Sequence, residues 1–68
     1  MKFSISRHRY EDQTHETQAK IHELARSINA SVKYDYEFDF YKVITTEADW
    51  LMATLKDPDT ASLFRIYS

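Results

Sequence analysis

The sequence predicts a small α+β domain in which a single sheet carries two helices, and three observations lead to it. Apolar and polar residues alternate, as strands require, in 2–7, 32–44 and 62–67. Two stretches of helical apolar spacing, each preceded by capping residues, lie between them. The longest alternating run is VKYDYEFDFYKVI, residues 32–44. In extended form it sets Val32, Tyr34, Tyr36 and Phe38 on one side and Lys33, Asp35, Glu37 and Asp39 on the other, because strand side chains alternate.

Residues 2–7 place Phe3 and Ile5 on one side of a half-buried first strand, and Arg7-His8-Arg9-Tyr10 leads out of it. Asp12 or Thr14 caps a first helix whose early acids, Glu11, Asp12 and Glu16, match the positive end of its dipole. Thr17, Ile21, Leu24, Ala25 and Ile28 form its buried stripe. Asn29 terminates it, since Asn tolerates the left-handed conformation and the chain has no Gly.

Within 32–44 the apolar parity is even up to Phe38 but odd at Tyr41 and Val43, which requires a bulge or a turn. Thirteen residues at about 3.3 Å each reach roughly 43 Å, whereas a domain of this size spans about 28 Å. The run is therefore expected to fold back. A turn at Asp39-Phe40 pairs Phe38 with Tyr41 and Tyr36 with Val43; one at Glu37-Phe38 shifts that pairing. Neither dipeptide is a favoured hairpin turn, so one long bulged strand is the rival.

Thr46 caps a second helix with Asp49 three residues on. Its expected inner stripe is Ala48, Leu51, Met52 and Leu55, with Trp50 at the edge. Asp57-Pro58-Asp59 stops it. The last strand, 62–67, has Leu63 and Tyr67 on one side and Phe64 and Ile66 on the other, the pattern of a central or well-covered strand. The order strand, helix, strand, strand, helix, strand is the compact βαββαβ ferredoxin-like pattern, one sheet with two helices on one face. The alternative is βαβαβ with one long bulged middle strand.

Residues 1–68 make one domain, and folding at this size buries only roughly 60% of the unfolded surface, so the four Phe, five Tyr and one Trp carry the core. Absence of Cys removes disulfides, thiolate metal sites and a Cys nucleophile. Absence of Gly removes phosphate-cradling loops. Met1 followed by Lys2-Phe3-Ser4 carries no apolar h-region, so secretion is not expected, and no run reaches a membrane span. The expected setting is cytoplasmic. A net charge of −2 neither attracts nor excludes a polyanion.

His8, His15 and His22 recur every seven residues, but that spacing separates helical positions by about 10.5 Å, too far for one ion to bridge. No metal site, cofactor or catalytic set is expected, and no Ser has a base placed near it. Asp35, Glu37 and Asp39 form an acidic row whose ordinary role is to keep an edge strand from pairing. Arg7-His8-Arg9-Tyr10 with Lys2 is the one basic and aromatic cluster, suited to phosphates and stacked bases. The RNA-recognition signature is missing and the outward face of the hairpin reads as acidic, so nucleic acid is not the expected partner.

The surplus of aromatic surface beside carboxylates is the functional signal, since large aromatics dominate interface hot spots. The expected function is a non-enzymatic protein-interaction module, an inhibitor or regulator, contacting a protein partner or a second copy through Asp35, Tyr36, Glu37, Asp39, Phe40, Tyr41 and Trp50. The alternative is a nucleic-acid-binding domain using Lys2, Arg7, Arg9 and Tyr10. The composition, short, Gly-free and aromatic, resembles that of small viral or mobile-element accessory proteins, with no motif behind the likeness.

Overall fold

Alternation in the first residues builds the strand on which the rest assembles. In the computed structural model, which describes residues 1–67, Phe3 and Ile5 are buried on one face of β1 (Lys2–Ser6). Ser6 ends that strand and caps a short helix, α1 (Arg7–Glu11), its hydroxyl accepting from the Arg9 N–H at 3.2 Å. Thr14 then caps α2 (His15–Ser27), accepting from the Thr17 N–H at 3.1 Å. Ile21, Leu24 and Ala25 are its buried stripe, with Ile28 just beyond it. Asn29 sits at φ 58, where the Asn29 N–H donates to Arg26 O at 3.0 Å and the Ala30 N–H to Ala25 O at 2.9 Å. This closes the helix as a glycine would.

The chain folds back inside 32–44, giving β2 (Lys33–Asp35) and β3 (Phe40–Ile44) instead of one bulged strand. Lys33 pairs with Lys42, Tyr34 with Tyr41 and Asp35 with Phe40. That is the register of a turn centred on Glu37-Phe38, widened to the four-residue loop 36–39; the pairing that a turn at Asp39-Phe40 would give is absent.

Thr46 caps α3 (Glu47–Lys56), accepting from the Asp49 N–H at 3.1 Å. The helix lies on the opposite face from the one its spacing suggested. Ala53 is fully buried and Trp50 is turned inward, stacked on Phe3 with ring centroids 4.1 Å apart and edge-on to Phe64 at 5.4 Å. Ala48, Leu51, Met52 and Leu55 face solvent. Asp57 stops α3 and at once caps a further turn, α4 (Pro58–Ala61), accepting from the Thr60 N–H at 3.2 Å, with Pro58 in the first helical position it favours. β4 (Arg65–Tyr67) is shorter than the alternation in 62–67 suggested, and it is an edge strand with Ile66 exposed, not a central one.

The sheet order is β2-β3-β1-β4, every neighbouring pair antiparallel. The helices cover one face. Phe3, Ile5, Val43 and Phe64 meet Ile21 and Ala25 in the main core, and Leu24, Ile28, Ala53 and Ala61 join the helices to one another. The register leaves Lys2, Ser4, Ser6, Lys33, Asp35, Phe40, Lys42, Ile44 and Arg65 on the uncovered face. The molecule measures 26 × 26 × 17 Å, within which an extended 32–44 would not fit. Among the described residues no helix is long and apolar enough to cross a membrane.

Candidate functional site

Two carboxylates, Asp35 and Asp39, build the hairpin end. Asp35, the last residue of β2, folds its side chain over the loop: Oδ1 accepts from the N–H of Glu37 at 2.9 Å and of Phe38 at 3.3 Å. Its other oxygen takes Lys42 Nζ at 3.1 Å. The Lys42 hydrogen bond and the two backbone donors hold the Asp35 carboxyl below the usual carboxylate range, against the opposing effect of desolvation. Asp39 closes the loop at φ 56, a conformation that Asp tolerates better than most residues. The Asp39 N–H donates to Asp35 O at 2.9 Å.

Asp39 also ties the loop to the body. Its Oδ1 accepts from Arg7 Nε at 2.8 Å and from the Tyr34 hydroxyl, and its carbonyl accepts from the Arg7 N–H at 3.1 Å. The Arg7 hydrogen bond, then that of Tyr34, depresses the Asp39 carboxyl, while the same contact pushes the Tyr34 phenol up. Arg7 reaches Glu11 Oε1 at 2.9 Å as well, and its partners raise its already high value.

On this frame the aromatic side chains form two groups. Tyr10, Tyr41, Tyr34 and Tyr36 make a chain of ring contacts, with centroids 4.2, 5.3 and 5.4 Å apart in turn. The innermost, Tyr10, bonds His22 Nε2 at 2.8 Å, and burial raises its phenol. On the uncovered face Phe38 stacks on Phe40 at 5.7 Å. Tyr36, at the loop, is 89% exposed and Phe38 55%. Beside the two phenylalanines a shallow groove of about 300 Å³ runs past Ser4, Ser6, Arg9 and Arg65.

Tyr36, Glu37, Phe40 and Tyr41 thus meet at the hairpin end with Asp35 and Asp39. Trp50 stands apart, in the core under α3. The acidic row does not survive the turn: Asp35 and Asp39 are paired with Lys42 and Arg7, and Glu37 alone keeps an exposed, outward position. The basic cluster is dispersed as well. A helical turn splays 7–10 around its axis, so Arg7 is spent on Asp39, Tyr10 packs on the helix side, Arg9 borders the groove and Lys2 lies on the uncovered face. That face is basic, with Lys2, Lys33, Lys42 and Arg65 against Asp35, not acidic as the alternation suggested. Phe38 and Tyr34 belong to the surface although neither was among the expected contact residues; their place depends on the loop length, which the alternation alone did not fix.

Among the described residues no group of three or more His, Asp or Glu is arranged to hold a metal ion. Compared with protein-family models, curated proteins and solved structures, the chain matches none.

Proposed function

We propose that the chain is a non-enzymatic protein-interaction module, an inhibitor or regulator that meets its partner through the hairpin end. One observation carries the reading: Tyr36 is 89% exposed on a loop whose backbone is fixed by Asp35 and Asp39. Flexible loops lose entropy on binding, whereas aromatics held on an anchored loop bind with less of that loss. Tyr36 and Phe38 are the expected anchors, with Glu37 between them favouring a partner that offers a cation. The strand order and its antiparallel pairs support reading the fold as the compact ferredoxin-like arrangement, with α1 and α4 as added single turns.

Affinity isolation with the wild type and with the double variant Tyr36→Ala, Phe38→Ala tests the reading. A partner retained by the first and lost by the second, with unchanged circular dichroism, is expected. A partner retained equally by both overturns it.

The uncovered face supports a second reading, contact with single-stranded nucleic acid, since Arg9 and Arg65 line the groove beside the stacked Phe38 and Phe40, and Lys2, Lys33 and Lys42 lie elsewhere on the same face. Oligonucleotide binding that weakens steeply with salt and is lost in Phe40→Ala, Arg65→Ala is its expected sign. No binding at low salt rejects it.

A further inference from the structure

We propose that a second copy of this chain covers the exposed face of α3, forming a two-fold dimer in which the two helices run antiparallel. Ala48, Leu51, Met52 and Leu55 lie on the side of α3 facing away from Trp50 and Ala53. Leu51, Met52 and Leu55 are 57, 54 and 84% exposed, an apolar stripe of the kind that marks a contact surface.

The pattern of the stripe chooses the occupant. Its midpoint falls between Leu51 and Met52, and about that point it is complementary to itself. A copy related by a two-fold axis there sets its Leu55 against Ala48, large against small, and brings Leu51 and Met52 of the two copies together at the centre. Asp49 and Lys56 are seven residues apart and so share one flank of the stripe. Antiparallel pairing brings Asp49 of each copy beside Lys56 of the other, at both ends of the contact, whereas parallel pairing opposes like charges. An isologous interface demands this matching of a surface with itself; a different partner protein would not. The helix is only about 15 Å long, so the buried area is small and the dimer forms in a concentration-dependent way. Neither Tyr36 nor Phe38 belongs to the stripe, so the inference stands apart from the hairpin proposal, and a dimer offers two hairpin ends.

Sedimentation equilibrium of the whole chain over a wide concentration range tests it. The mass is expected to rise from 8.1 kDa towards twice that value, and Leu55→Glu, at a solvent-facing position, to weaken the association by about tenfold or more. Asp49→Lys and Lys56→Asp, each with folding checked by circular dichroism, are expected to stay monomeric alone and to dimerise when mixed, because the mixture restores both opposite-charge pairs. A wild type that remains at 8.1 kDa at the highest concentration overturns the proposal, as does a dimer indifferent to Leu55→Glu. A mixture of the two charge variants no heavier than either alone overturns the antiparallel arrangement.

Discussion

Asp39 ties three elements of this structure together. It takes the left-handed backbone conformation that ends the loop, accepts from Arg7 and Tyr34, and so joins β2, β3 and the start of α1. Its folded carboxyl, like that of Asp35, lies below the ordinary range. A depressed carboxyl stabilises the fold fully above the unfolded value, near pH 3.9, and that contribution is lost as pH falls through the folded value. Thermal unfolding followed against pH is therefore expected to show a drop in Tm on acidification into that range. Asp39→Asn is expected to lower Tm at neutral pH and to make the acid drop shallower. Asn29 is the other left-handed residue. Asn29→Gly should leave stability unchanged or raise it slightly, while Asn29→Val should cost about 1–2 kcal/mol, read by urea denaturation.

Among the elements, β1, β3 and α2 were legible because each has one apolar face, whereas the apolar residues on both sides of 62–67 suggested a central strand where β4 is a short edge strand. The parity change between Phe38 and Tyr41 located the hairpin, and the register matches a turn at Glu37-Phe38. The loop length was not legible, because it depends on Asp35 reaching two backbone donors and on Arg7, which is remote in sequence. α3 has two apolar faces. The larger, with Leu51, Met52 and Leu55, looked like the core side, but the space above Phe3 is filled by Trp50 and leaves room only for Ala53 beneath the helix. Burial follows the volume available in a close-packed interior, not the hydrophobicity of a stripe. The single turns α1 and α4 have only short local signals: Ser6 three residues before Arg9, and Asp57-Pro58, which starts a helix as well as stopping one. Trp50→Ala is expected to cost about 3–5 kcal/mol, and Leu55→Ala less than about 0.5 kcal/mol in the monomer. Chemical denaturation of the two variants checks this inversion.

At the scale of the whole molecule, a Gly-free chain of 68 residues has little stability to spare, roughly 3–10 kcal/mol from the usual range per residue. Trp50→Ala should therefore leave much of the population unfolded at 37 °C. The same small size explains the surface. Ten aromatic residues are more than a molecule of 26 × 26 × 17 Å encloses easily, and among the described residues the exposed ones, Tyr34, Tyr36 and Phe38, gather at the hairpin end, near the run in which the sequence concentrates them. That Asp35, Tyr36, Glu37, Asp39, Phe40 and Tyr41 lie together at one end of the molecule was legible for that reason. Trp50 was not, because its surroundings are set by Phe3 and Phe64, distant in sequence.

A photo-activatable benzophenone side chain placed at position 36, with position 23 on the exposed side of α2 as the control, tests the role of the hairpin most directly. Irradiation in the cells that make the protein is expected to join the position-36 chain to one partner protein and to leave the position-23 chain unjoined. No adduct at position 36, or the same adducts at both positions, would contradict a partner contact at the hairpin end.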